Sequence, residues 1–572
     1  MKKVKFASGV IPIILLAAAL LTGCGNRPIQ PASGVPGGAA APSSGKTEAP
    51  VPAAVEAPAK SPDASVGAYV GEPGRDPAGS GSSDPSSDVA VSAPGKEDVI
   101  IAIPREPATL DPHCAGDDTM RAVTGNIYEP LYRLDRDSLE PVPCLAAGCR
   151  ILDDLHWEFT IREGVLFHDG SGLTADDAVY SVNRILDPGF NVQPFDDLES
   201  IVRAEKTGDY TMVITTKYPD PVLLKRLTRL DIVSKAFTEG ETGGLLTAAA
   251  NGTGPYMLDH WIRGEEIALA RFAGYRTMPS AAEGAPAIKE AAYRFIAGAS
   301  DRSAALAAGD IDLALDLRPE DVPDLPKVFL APGKGTCWIR FNQRAGLMVD
   351  QRLRLAANLA VDREKLIRDL YDGFAAPCAG QMGGEGCFGY TDRVSAYTCD
   401  LARAKALLEE AGYEGEPVEL LAGRGRWPKE GELAEAVAGQ LMEAGFTVEL
   451  RFANQEEWLD ALFDPKKTPD MQLSCTVNEL FDMDGVYTTL LHKDGAQSAA
   501  DKGGYDGMIE EARSEMDGAR REEIYANLAQ LLHDDPFAVY LLTADLIRGG
   551  ASDLNWIPAR DGGIYLSAMS FS

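Results

Sequence analysis

The sequence is short of basic residues: 54 lysines and arginines face 86 aspartates and glutamates, which leaves a formal net charge of -32. That imbalance excludes DNA, RNA and anionic lipid as the main ligand, because a surface of this sign repels phosphates. Cationic, zwitterionic and neutral partners stay open. Histidine is scarce too: His113, His156, His168, His260, His492 and His533 form no helical pair, and no two cysteines stand in CxxC spacing. No metal site follows from such spacing, and Asp482-Met483-Asp484-Gly485 lacks the rest of a calcium loop. A Gly-x-Ser-x-Gly elbow is missing, and Ser44-Gly45-Lys46-Thr47 lacks the first glycine of a phosphate loop. Nothing places a nucleophile beside a base, so neither catalysis nor a cofactor is expected. Long apolar runs are also missing, apart from residues 10–21.

That run follows Lys2, Lys3 and Lys5 and is too short to span a bilayer comfortably, which is the pattern of a secretory signal. It closes on Leu20-Leu21-Thr22-Gly23-Cys24, which resembles the lipobox of bacterial lipoproteins. The resemblance implies that residues 1–23 are a signal peptide and that Cys24 becomes a lipid-bearing N-terminus, anchored firmly by several acyl chains. The alternative is an ordinary cleaved signal with Cys24 incidental. Residues 24–97 then read as a linker rich in Pro, Ala, Gly and Ser, with too little apolar surface to offset its ordering entropy. As a flexible coil it reaches roughly 45 to 50 Å. Beyond Cys24 there are Cys114, Cys144, Cys149, Cys337, Cys378, Cys387, Cys399 and Cys475. An even number outside the cytoplasm permits disulfides, with Cys144–Cys149 and Cys378 with Cys387 or Cys399 near enough to close small loops; buried thiols are the alternative.

The folded part opens with Val99-Ile100-Ile101-Ala102-Ile103, a strand pattern. Trp157, Phe159 and Ile161 alternate with polar residues as a half-buried strand, and Glu163-Gly164 turns into Val165-Leu166-Phe167 as a hairpin. Thr174 and Asp177 form a capping box for a helix that Asp187-Pro188 stops. In the second half, Asp350, Asp362 and Asp400 are placed as N-caps. Residues 418–421, 432–444 and 446–450 read as a βαβ unit, so the loop Gly423-Arg424-Gly425-Arg426-Trp427-Pro428 lies beyond the carboxyl end of a parallel strand, where α/β sheets place ligands. Guanidinium groups there suit a carboxylate. A solvated surface loop is the competing reading.

Several blocks together carry a family resemblance. Thr109-Leu110-Asp111-Pro112, Asn126-Ile127-Tyr128-Glu129-Pro130-Leu131, Arg162 through Gly170 with Leu173-Thr174-Ala175-Asp176-Asp177, Gly252-Thr253-Gly254-Pro255-Tyr256, Phe341-Asn342 with Val361-Asp362-Arg363, and Tyr525 to Pro536 stand in this order. The set closely resembles the extracytoplasmic family 5 solute-binding proteins of peptide and nickel ABC importers. Met348-Val349-Asp350 departs from it, since family members usually carry proline before the acidic cap. The resemblance implies an α/β, two-lobed periplasmic-binding-protein fold of type II with an extra inserted domain, joined by a hinge and preceded by the disordered tether. Lobe I would comprise 98–133, 253–335 and 535–572, the inserted domain 134–252, and lobe II 336–534.

The function implied is capture of a small peptide between the lobes by a monomeric, lipid-anchored, extracytoplasmic protein that delivers it to an ABC permease and its ATPase. The membrane would be met through the lipid only. Candidate ligand residues are Arg424, Arg426, Trp427 and Trp338, with Glu479 at the position where peptide-binding relatives meet the peptide amine. Asp482 and Asp484 are rivals to Glu479, and capping of the next helix is an equal reading for each. Either tryptophan could equally belong to the core. Within the class, a nickel chelate, glutathione or an oligosaccharide remains open as ligand; outside it, a surface hydrolase or a non-transport adhesin or sensor.

Overall fold

The computed structural model describes residues 95–114, 117–190, 198–241, 245–275, 286–500 and 504–572. Cys24, the signal segment and the linker up to residue 94 lie outside the described residues.

The apolar run near residue 100 forms the strand Asp98–Ile103, with Ile101 and Ile103 fully buried. It is central in a seven-stranded sheet and runs parallel to both neighbours, Glu290–Phe295 and Leu313–Leu317. Tyr256–Ile262 and Glu266–Arg271 extend one side, Leu546–Gly550 and Lys327–Ala331 the other. This is the sheet of the first lobe.

The second lobe has a six-stranded sheet in the order Ala375–Pro377, Ala538–Ala544, Gly335–Phe341, Met471–Val477, Pro417–Ala422 and Thr447–Phe452. Pro417–Ala422 pairs in parallel with Thr447–Phe452, and the helix Glu430–Glu443 joins them, so the βαβ unit is present. Both faces are covered. Cys337, Ile339 and Phe341 enter one core with Leu433, Val437 and Leu441, whereas Trp338 enters the opposite core with Tyr487, Tyr525 and Tyr540. Asp350, Asp362 and Asp400 each accept a backbone N–H at the head of their helices.

A four-stranded antiparallel sheet, Ala146–Asp153, His156–Ile161, Thr211–Thr216 and Ile201–Gly208, builds the region between the first two segments of lobe I. The Thr174–Asp177 capping box opens its helix Ala175–Leu186. The expected hairpin is absent: residues 165–167 make only the bridge Leu166↔Gly172, because His156–Ile161 already has partners on both sides.

Two family blocks pack on each other. A Cβ at Gly252 would sit 1.9 Å from the Ile127 carbonyl oxygen, and Gly254 N donates to that oxygen at 2.8 Å. Only glycine permits this approach. Asn126 in turn donates to Ile564 O and accepts from Leu566 N, tying the chain's end to its beginning.

The chain passes between the two sheets twice, at residues 332–334 and at Asp545. The crossings touch: a Cβ at Gly333 would lie 2.0 Å from Ala544 O. The strand Ala538–Ala544, expected in lobe I, pairs with Gly335–Phe341 in the second sheet. Its apolar run Ala538-Val539-Tyr540-Leu541-Leu542 is buried on both faces, and such a run does not say which sheet receives it.

Among the described residues no helix is long and apolar enough to cross a membrane.

Candidate functional site

Met471–Val477 and Pro417–Ala422 are parallel neighbours, so the loops after them leave the same edge of the second sheet. The arginine loop follows one strand and Glu479 follows the other, but they do not form a single clamp.

Arg424 projects outward, with 57% of its side chain exposed, pairing with Glu435 at 2.5 Å and covering the Phe452 ring at 3.7 Å. Arg426 is turned inward. Its Nε donates to Glu430 at 2.8 Å, its backbone N to the same carboxylate at 3.0 Å, and its guanidinium stacks on Trp458 at 3.4 Å. Glu430 is itself buried, so this i,i+4 pair anchors the start of its helix. Trp427 packs against the core beneath. The end of the loop reaches the first lobe through Lys429 and Glu320 at 3.3 Å.

Trp338 is fully buried, its indole N–H donating to Thr476 Oγ1 at 2.9 Å, and it is a core residue. Asp482 is buried as well, with Arg521 bonded to both carboxylate oxygens at 2.7 and 2.6 Å, and it caps the helix Met483–Leu490. Its rival Asp484 is held by Arg226 at 2.5 Å, which also bonds Asp220 at 2.9 Å. Asp484 thus joins the inserted region to the second lobe, while Asp482 is bonded within the second lobe.

Glu479, of these candidates, meets charge from both the inserted region and the crossing between the lobes. Arg229 reaches it at 2.8 Å from the turn Leu227–Arg229, and Lys334, on the crossing between lobes, lies 3.2 and 3.3 Å from its two oxygens. Lys334 also bonds Asp118 at 2.7 Å, at the head of the helix Asp118–Thr124 in the first lobe. Burial pushes the Glu479 carboxyl up, but Arg229, Lys334 and Arg121 more than offset it and bring its pKa down to about 2. It is an anion bonded from the inserted region and the hinge together. The loop that presents it is held in place by Lys225 Nζ donating to Phe481 O at 2.9 Å, with Phe481 in the left-handed region at φ 48°.

Beside this cluster stand two charges without a bonded partner. The Arg121 guanidinium makes no hydrogen bond or ion pair among the described residues; it feels burial, then Arg229, Glu479, Asp231 and Asp118. Among the described residues the Asp231 carboxylate likewise has no bonded partner, and burial pushes its pKa up to about 6 against the pull of Arg121 and Arg229. Its backbone is fixed from behind: His113 Nε2 lies 2.7 Å from Asp231 O, and Arg184 Nη1 lies 2.9 Å from His113 Nδ1. Arginine can only donate, so Nδ1 accepts and Nε2 carries the proton. Burial lowers the His113 pKa to about 4, which keeps it neutral, and Arg184 is held by Asp111 at 2.6 and 2.9 Å. Half-buried charges that do without a protein partner are what a charged ligand requires.

Arg121, Arg229, Asp231 and Lys334 were not found from the sequence. The readable signal was Asp231, a lone carboxylate in Leu230-Asp231-Ile232-Val233 whose three neighbours are buried core. Among the described residues no group of three or more His, Cys, Asp or Glu side chains could hold a metal ion. An open depression around Tyr397, Asp400 and His533 lies on the second lobe and includes none of the charges above.

The sequence-family model for bacterial extracellular solute-binding proteins, family 5 (middle) matches residues 140–498. The chain belongs to this family. It is similar to the glutathione-binding protein GsiB of Salmonella typhi, at 27% identity over 336 residues, covering 57% of this chain and 64% of that protein. It therefore spans less than two thirds of that relative's length. Among solved structures it is similar to the ABC transporter substrate-binding protein CtaP of Listeria monocytogenes, with TM-score 0.73 and 23% identity over 83% of this chain and 99% of the other. The periplasmic binding protein DppA of Helicobacter pylori, in complex with the peptide STSA, gives TM-score 0.66 and 22% identity over 83% and 98%. The two-lobed α/β fold of these structures is the fold of this family 5 protein.

Proposed function

We propose that this family 5 protein captures a small peptide between its two lobes and hands it to an ABC permease and its ATPase, with Arg121 receiving a ligand carboxylate and Asp231 a ligand ammonium. The observation that carries the reading is the pair of half-buried, unbonded charges beside a set of ion pairs that joins the lobes. Glu479, expected from the sequence to meet the peptide amine, instead holds Arg229 and Lys334, and its role in this reading is to keep the cleft closed around the ligand. Arg424 and Arg426 serve the second lobe's own packing. The protein binds and releases without chemistry: closure removes the ligand from water, and fixed charges replace its lost hydration.

Glutathione, named for the enteric relatives, is a small peptide with a free amine and free carboxylates, and it is the first compound to test. Cys24 would carry the lipid that holds the protein at the outer face of the cell membrane, and the linker would let the lobes work clear of it. Calorimetric titration with glutathione and short peptides, free and end-blocked, tests the site. Arg121→Ala should weaken binding of the free peptide by about 30-fold or more, the cost of removing a buried partner from a charged group, and should spare a carboxyl-amidated peptide. Asp231→Asn should do the same for the amine against an acetylated peptide. Equal losses for free and blocked peptides overturn the assignment.

A further inference from the structure

Cys337 and Cys475 stand opposite each other on adjacent antiparallel strands, with their Sγ atoms 3.3 Å apart although 138 residues separate them in sequence. The ladder decides what kind of pair they are. Asn478 N donates to Lys334 O, and Asn342 N donates to Asp470 O. Hydrogen-bonded positions alternate along an antiparallel ladder, so on Gly335–Phe341 they fall at the even residues. Cys337 is therefore in a non-hydrogen-bonded pair, where opposed Cα atoms lie only about 4.5 Å apart and side chains meet. That spacing is within the range a disulfide spans. Gly335 leaves the space: a Cβ there would lie 2.9 Å from Cys475 Sγ. Other cysteines face different neighbours. Cys144 Sγ meets the Glu129 carboxylate at 3.9 Å, and Cys387 Sγ accepts from Asn478 Nδ2 at 3.1 Å. The small-loop pairings left open by the sequence are not formed, and all eight cysteines are thiols here.

We propose that Cys337 and Cys475 are a modification site that closes to a disulfide when the chain meets an external disulfide oxidant, cross-linking the strand that follows Lys334 to the strand that precedes Glu479. Cys475 is the half-buried member and meets the oxidant first. Its sulfur, having lost its proton, attacks one sulfur of a low-molecular-weight disulfide and forms a mixed disulfide, releasing one thiol. The buried Cys337 then gives up its proton, and its sulfur displaces the second thiol from Cys475. Two protons and two electrons leave the protein, and the external disulfide is reduced to two thiols. The hydrogen bond with Cys475 and burial hold the Cys337 thiol well above the ordinary range, which keeps it from reacting first. The cross-link fixes the base of the strands from which Lys334 and Glu479 project, so the spacing of that ion pair no longer depends on the ladder alone.

The full chain is incubated with oxidised glutathione, unfolded in iodoacetamide and digested without reductant. Mass spectrometry should find the Cys337 peptide joined to the Cys475 peptide, two hydrogens lighter than their sum. Recovery of both as alkylated thiols, of either joined to Cys378, or of Cys475 bound only to glutathione overturns the proposal. Thermal melting is the second readout. The oxidised wild type should melt several degrees above its dithiothreitol-treated form, and Cys475→Ser should show no such difference. Equal melting of the two wild-type forms overturns the bracing role.

Discussion

The loops after Pro417–Ala422 and Met471–Val477 leave one edge of one sheet, and both carry charge, yet the charges are satisfied in opposite ways. Arg426 finds its partner four residues on, in Glu430, and Arg424 finds Glu435 on the same helix. Glu479 finds Arg229 and Lys334, far away in sequence, one in the inserted region and one at the hinge. A charge paired within its own loop holds that loop, whatever the lobes do. A charge paired across the gap depends on how far the lobes are closed, and beside it Arg121 and Asp231 make no bonded pair among the described residues.

Three substitutions probe that contrast, the most damaging first. Asp482→Ala strands Arg521, whose charge is buried with no other acid bonded to it among the described residues, and should cost about 3 to 5 kcal/mol of stability in urea titration. A loss under about 1 kcal/mol would mean that Asp482 is not structural. Glu479→Gln should cost about 2 kcal/mol at neutral pH, the scale of charge-assisted hydrogen bonds. Its signature is the pH dependence. The folded carboxyl titrates near 2, below its ordinary value of 4.5, so the stabilisation is fully present above 4.5 and is lost as pH falls toward 2. Wild type and Glu479→Gln should therefore converge in that window, and a gap that persists to pH 2 would refute the ion-pair account. Arg424→Ala should be mildest: its exposed pair with Glu435 is worth about 0 to 1 kcal/mol, and calorimetry should find ligand affinity unchanged. A large affinity loss would return the arginine loop to the binding site.

Much of the architecture was legible because its signals are local. The caps at Asp350, Asp362 and Asp400, the Thr174–Asp177 box and the βαβ unit each rest on a few consecutive residues. The hairpin after Ile161 failed for a non-local reason, since two other strands had claimed both edges. Ala538–Ala544 failed for another: the sheet that a fully apolar strand joins is decided by tertiary fit, not by pattern. The site was the least legible part. Nothing in Arg424-Gly425-Arg426 announces that Glu430 will occupy the guanidinium, and nothing near Glu479 announces Lys334. Asp231 was missed as well, although an acid flanked by the buried residues Leu230, Ile232 and Val233 is a signal the sequence carries.

The contact between Gly333 and Ala544 O sets how the lobes can move. A body tied by one strand can swing and spin about three axes. Tied by two strands that touch side by side, it loses the spin and one of the swings, since either would drag the crossings through each other. What remains is a bend about a single line through residues 333 and 545. Opening and closing then run along one coordinate, so a ligand that bridges the cleft anywhere along its length draws every cross-lobe ion pair shut together.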